Sequence, residues 1–119
     1  MSQFTAYQDN AVSTQNKGRL VVLLYEGAIK FMKLAIKELE AGNYDTKGQY
    51  LNRAQDIINE LNAVLDMENG GEVAANLRKL YVFMTNRLTQ ANVKRDPSMI
   101  RDVIKLMEEL NEGWKAVTG

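Results

Sequence analysis

"LVVLLYEGAIKFMKLAI", residues 20–36, holds five consecutive large apolar residues, Leu20 to Leu24, and then Ile29, Phe31, Met32, Leu34 and Ile36 among lysines. The spacing reads as helix with two apolar stripes. One runs through Leu20, Leu24, Ala28, Phe31 and Ala35; the other through Val22, Tyr25, Ile29, Met32, Ile36 and Leu39. Together they cover well over half the circumference, leaving a polar seam of Glu26, Lys30, Lys33 and Lys37. A helix in a four-helix bundle buries about three positions in seven, and each large side chain left in water forgoes roughly 1.5–3 kcal/mol of burial. The second stripe therefore calls for a cover. It could be this chain's own N-terminal arm, a second copy, or another protein. The alternative is that this helix is simply the most central one.

Outward from this segment the pattern stays helical. Segment one spans about Lys17 to Ala41, with Gly42 suited to a left-handed C-terminal cap. Segment two runs from Asn43 or Asp45 to Asp66 on Leu51, Ala54, Ile58, Leu61 and Leu65. Segment three follows Asn69, Gly70 and Gly71, with a stripe of Val73, Leu77, Leu80, Met84, Leu88 and Ala91. Segment four opens on Asp96 as N-cap and Pro97 at the first helical position. Its stripe is Ile100, Val103, Met107, Leu110, Trp114 and Val117. Short connections make neighbours antiparallel, so the expected fold is all-α: an up-down-up-down four-helix bundle over residues 17–117. Residues 1–16 are polar and aperiodic and read as a flexible N-terminal arm outside the core.

Composition narrows the function. The 119 residues are 45% hydrophobic and 25% charged, with 15 basic and 15 acidic side chains and no net charge. That balance argues against a nucleic-acid binder and against docking on anionic lipid. Cysteine and histidine are absent, which removes disulfides, thiolate or imidazole metal sites, and Cys–His or Ser–His catalysis. The start of the chain lacks a signal-peptide pattern, and the Leu20–Leu24 run is too short to insert in a membrane. The expectation is a soluble cytoplasmic protein without cofactor.

Other features have plain readings. Gly70 and Gly71 lack the rest of a phosphate loop and read as a flexible turn. Glu108, Glu109 and Glu112 have no histidine to complete a carboxylate-bridged metal site and read as a solvated face. Met32, Met84, Met99 and Met107 fit gap filling or an adaptable contact surface. Asn62, Asn76, Asn86 and Asn92, weak helix formers, face solvent or a partner's extended backbone.

"LDMENGGEVAANLRKLYVFMTNRLTQAN", residues 65–92, resembles the flagellin-specific export chaperones of the bacterial flagellum. It matches their LD-x-E-x-GG-E, NL-x-x-LY, FM and RL-x-x-AN pattern through residues including Asp66, Gly70, Gly71, Asn76, Tyr81, Phe83, Met84, Arg87 and Asn92. "LLYEGAIKFM" (23–32), "AQDIINEL" (54–61) and "AYQDNAV" (6–12) resemble further family segments. Where the family often has Ser-Pro ahead of its first long helix, this chain has "STQNKGRL", which leaves the entry to helix one less sharply fixed.

The resemblance implies a non-catalytic cytoplasmic chaperone that binds the C-terminal segment of flagellin, prevents premature polymerisation and delivers its client to a component of the flagellar export gate. It also implies an N-terminal arm that covers part of the apolar groove when no client is bound. Placed on the stripes and motif positions, the expected client contacts are Val22, Tyr25, Ile29, Met32, Ile36, Ile58, Leu61, Asn62, Tyr81 and Met84, with Phe4, Tyr7 and Val12 as the cap. A weak homodimer is a further partner reading. The competing functions are a helical adaptor or self-assembling bundle without a flagellin client and, more remotely, an enzyme.

Overall fold

A computed structural model describes the backbone of residues 3–118 and the side chains of residues 17–118. Its elements are α1 (Gln3–Glu40), α2 (Tyr44–Ala63), α3 (Gly71–Lys94) and α4 (Pro97–Thr118). α1 begins well before the Lys17 start expected from periodicity. α2 ends at Ala63: the Val64 N–H still donates to the Glu60 carbonyl, but that of Leu65 turns to the Asn62 carbonyl, three residues back. The cap residues Phe4, Tyr7 and Val12 lie outside the residues whose side chains are described.

Cross-helix pairs fix the antiparallel register. Tyr25 lies against Trp114, Lys33 pairs with Glu108 and Glu40 with Arg101, so α4 runs back along α1. Lys47 meets Asn92, and Gln55 meets Thr85 and Thr89, setting α2 against α3. Arg87 and Asp102 join α3 to α4 through a 2.7 Å hydrogen-bonded ion pair. α1 and α3 are each flanked by α2 and α4, the up-down-up-down bundle the short connections require.

The core takes Leu51, Ala54, Ile58 and Leu61 from α2, Leu77, Met84, Leu88 and Ala91 from α3, and Ile100, Val103 and Met107 from α4, as the stripes predict. The stripes drift at one end. Val73 and Val117 are exposed, while Ala74, Tyr81, Met99 and Ile104 are buried in addition. A straight 3.6-residue helix slips relative to a strict heptad, so the outermost stripe position rotates off the seam.

The ends of the helices are closed by local chemistry. Gly42, at φ 81°, terminates α1: its N–H donates to Leu39 and that of Asn43 to Glu38, the paired bonds of a left-handed cap. Asp96 caps α4, its Oδ1 accepting from the Ser98 N–H at 2.9 Å and from the Ser98 hydroxyl. Asp66 closes the α2–α3 turn by accepting from the N–H and Nδ2 of Asn69, both at 3.0 Å.

Hydrogen bonds to the charged form hold both carboxyls below the usual range, from Asn69 at Asp66 and from Ser98 at Asp96. A carboxyl whose folded pKa is depressed adds stability that is complete above its ordinary pKa and is lost as pH falls through the folded value. Stability should therefore decline below the ordinary carboxylate range, and the decline should be shallower in an Asp66→Asn/Asp96→Asn double variant. Urea midpoints across acidic pH measure this; parallel curves for the two proteins would refute it.

The turn depends on its glycines. A Cβ on Gly70 would sit 2.5 Å from the Asp66 carbonyl oxygen and from the Ala74 Cβ, and Gly71 has φ 57°. Gly70→Ala should therefore cost about 1–3 kcal/mol, the range for forcing extra atoms into packed structure. Gly113→Ala, with open space around it, is the control, and should be neutral or slightly stabilising by chemical denaturation.

Candidate functional site: the α1/α4 face

The second α1 stripe is the core seam itself. Tyr25, Met32, Ile36 and Leu39 are buried, as are Ile58, Leu61, Tyr81 and Met84 from the expected contact set. Only Val22, Ile29 and Asn62 of that set reach solvent, each half-buried. The expectation of an uncovered second stripe is thus corrected. The physical reason is that the second stripe faces the centre of the bundle, where Tyr25 meets Tyr81 of the diagonal helix α3, while other α1 residues pack against α2 and α4 on either side. Toward α2, Phe31 stacks on Tyr50 with centroids 6.1 Å apart, the Arg53 guanidinium lies over the Phe31 ring, and Gly27 allows close approach to Ile57. Toward α4, Tyr25 tilts against Trp114 at 6.3 Å. The central-helix alternative accounts for this apolar excess.

The core has a polar centre. The hydroxyls of Tyr25 and Tyr81 share a 2.6 Å hydrogen bond across the bundle, with the rings edge to face. Burial raises the pKa of both phenols; at Tyr25, Tyr81 and Trp114 pull the other way. Both stay neutral at physiological pH, as a buried hydroxyl pair must.

Leu20 is 51% and Leu23 60% exposed, and Val64, Met67, Val73 and Val117 are exposed at the same end of the bundle. Phe83 and Val82 project from α3 beside the buried Met84. Exposed apolar side chains grouped in this way are what a protein-binding surface shows.

Among the described residues, grooves run between α2 and α3 and between α1 and α4. The one between α2 and α3 is polar, lined by residues such as Asn52, Asn59, Asn86 and Thr89, with Gln55 pinned by its Nε2 donating to the Thr85 carbonyl and the Thr89 hydroxyl. The one between α1 and α4 encloses about 540 Å³. Ile29 and Leu34 of α1 line its apolar part, with Glu26, Lys30, Lys33 and Lys37 on the α1 side and Glu108, Glu112 and Lys115 on the α4 side. Asn111 also lines it, 3% exposed, and its Oδ1 is buried without a hydrogen-bond partner.

Composition-level reading put the lysines and the glutamates on separate solvated faces; folding sets them opposite one another. Asn111 was missed although the signal was there, since it continues the Val103, Met107 core register of α4. Lys47 was missed in the same way, four residues before Leu51. It is buried, and its Nζ donates to the backbone carbonyl of Asn92 at 3.1 Å and to the Asn92 side-chain oxygen. Burial and the nearby Arg95 lower its pKa, against Asp45, which raises it.

Most of the 65–92 motif is now accounted for by the fold. Asp66, Gly70 and Gly71 make the α2–α3 turn, Tyr81 and Met84 fill the core, Arg87 bridges to α4, and Asn92 receives Lys47. A sequence model of the family described as "Flagellar protein FliS" matches residues 1–119. The chain belongs to the FliS family. Among its relatives are flagellar secretion chaperones named FliS. That of Vibrio cholerae is 39% identical over 109 residues, covering 92% of this chain and 80% of the relative. That of Bacillus subtilis is 38% identical over 112 residues, covering 94% and 83%. The Salmonella typhimurium protein is 39% identical over 111 residues, covering 92% and 82%. Among the described residues of this FliS-family chain, no cluster of acidic, histidine or cysteine side chains could hold a metal ion. No helix there is long and apolar enough to cross a membrane.

Proposed function

We propose that this FliS-family protein is a non-catalytic export chaperone of the bacterial cytosol. It binds the C-terminal segment of flagellin, keeps that segment from polymerising early, and passes it to a component of the flagellar export gate. The observation that carries the reading is the family match over the whole chain. The surface is compatible with it. Exposed apolar side chains on α1 and α3 and the inter-helix grooves offer a wrapping client separate places to dock. A disordered client covers such a surface while losing its ordering entropy on contact. Release then comes from handover to another protein.

Calorimetric titration with a flagellin C-terminal peptide should show binding, and circular dichroism a gain in helix beyond the sum of the parts. No binding at tens of micromolar peptide would overturn the proposal.

A further inference from the structure

The α2–α3 turn brings together a reactive pair and its restraint. Asn69 is the one asparagine of the chain that is followed by glycine. Glycine leaves the backbone nitrogen with no side chain beside it, so Asn-Gly is the asparagine pair that cyclises most readily. The fold leaves no choice at Gly70, where a Cβ would sit 2.5 Å from the Asp66 carbonyl oxygen. Asn69 occupies an unspecified position of the LD-x-E-x-GG-E pattern and is exposed to water.

The pair is held by hydrogen bonds to a single residue. One oxygen of the Asp66 carboxylate accepts from the Asn69 N–H and the other from Asn69 Nδ2, both at 3.0 Å. The Asp66 carbonyl accepts from the Gly70 N–H at 2.8 Å. Cyclisation needs the reverse of each contact. The Gly70 nitrogen must lose its proton, which here is engaged by a carbonyl beside a negative charge. The Asn69 side chain must leave Asp66 and present its Cγ to that nitrogen. The ring to be formed is nearly planar, so the nitrogen must also eclipse the Asn69 Cβ. A turn closed from residue 70 back to residue 66 has helical geometry, which keeps the two staggered.

We propose that Asn69 is a spontaneous deamidation site and that Asp66 is the residue that keeps it closed in the folded protein. Water is the only co-reactant. The deprotonated Gly70 nitrogen attacks Asn69 Cγ and closes a succinimide, and the side-chain nitrogen takes up the proton and leaves as ammonia. Water then opens the ring. Addition at Cγ leaves aspartate on an ordinary backbone; addition at the backbone carbonyl leaves isoaspartate, in which the chain runs through the side-chain carbon. Water is consumed, ammonia is released, and nothing is oxidised or reduced. With aspartate, the Nδ2 donor becomes a carboxylate oxygen facing Asp66, and like charges that close repel. With isoaspartate, the backbone ahead of Gly70 gains an atom, which shifts the start of α3. Asp66 is a positioning residue here, not a reactant. None of this chemistry depends on the protein's being a chaperone.

The test keeps the full chain in mildly alkaline buffer at body temperature. Peptide mass spectrometry follows conversion at Asn69, reading the exchange of NH2 for OH and the isoaspartate fraction. The folded wild type should convert about tenfold more slowly than the same chain unfolded in guanidinium chloride. Asp66→Ala should convert about tenfold faster than the folded wild type, the scale on which losing hydrogen bonds to a charged group shifts an equilibrium. Asp66→Ser restores an acceptor for the Asn69 N–H but none for Nδ2, and should fall between. Asp96→Ala removes a comparable cap from α4 at the other end of the bundle, and should convert at the wild-type rate. That comparison separates local release from a general loss of stability. Asn69→Gln would need a larger, slower-forming ring and should give no product at this position.

Circular dichroism checks that each variant is folded; if Asp66→Ala is not, Asp66→Ser against Asp96→Ala decides. A folded wild type that converts as fast as the unfolded chain would overturn the proposal. So would a folded Asp66 variant that converts no faster than the wild type, or no faster than Asp96→Ala.

Discussion

A Met84→Asp variant is expected to lose its cooperative unfolding transition in urea, while Phe83→Asp, one residue away, leaves the midpoint nearly unmoved. Met84 is fully buried and Phe83 is half in water. Replacing Met84 removes roughly 1.5–3 kcal/mol of apolar burial. It also places a carboxylate in a site with no cation, a further penalty of several kcal/mol. Against a total stability of about 5–15 kcal/mol for a domain, the sum consumes most of what holds the bundle together. Phe83→Asp changes a surface position, where substitutions stay within about 0.5 kcal/mol, and any effect it has should appear in client binding. A folded Met84→Asp protein with a normal midpoint would mean that the core is not packed as described. The same contrast applies on α1, where Met32→Asp should unfold the chain and Leu23→Asp should not.

The second large effect concerns the hydroxyl pair. Tyr81→Phe or Tyr25→Phe alone should each cost about 1–3 kcal/mol, because the remaining hydroxyl is left buried without its partner. The double variant should cost clearly less than the sum of the singles, since it removes both polar groups together and keeps the two rings edge to face. A double-mutant cycle from urea denaturation reads the coupling directly. Strict additivity would show that the 2.6 Å contact contributes nothing.

The helices and their caps were legible because they rest on local chemistry. Gly42 as a left-handed terminator and Asp96–Pro97 as a helix start both behave as single-residue rules require. The bundle topology followed from connection lengths. What periodicity could not decide was how much of α1 its neighbours cover. Two stripes on a helix look the same whether the second faces a client or a diagonal partner, and the distinction depends on where α2 and α4 lie. Tyr25 and Met32 therefore looked available and are core. Polar residues in core register, Lys47 and Asn111, were hidden for a related reason. A hydropathy pattern treats them as interruptions, and only tertiary contact shows that Lys47 meets Asn92 while the Asn111 Oδ1 is buried without a hydrogen-bond partner.

One end of the molecule carries a cluster of polar ties that includes a buried lysine. Where α1 passes into α2 and α3 into α4, Lys47 reaches across to the end of α3 and the Arg95 guanidinium lies 3.8 Å from the centre of the Tyr44 ring. Arg95 itself occupies the left-handed region at φ 53°, held there by the 3.1 Å bond from the Asp96 N–H to the Ala91 carbonyl. At the far end, where Leu20, Leu23, Val64, Val73 and Val117 are exposed, the described cross-helix polar contacts lie on the surface: Arg78 donates to Asn62 at 3.4 Å and Lys115 pairs with Glu26 at 3.8 Å. If those polar ties act as a hinge, amide hydrogen exchange should run slower around Lys47, Asn92 and Arg95 than at the opposite end around Leu23, Val64 and Val73.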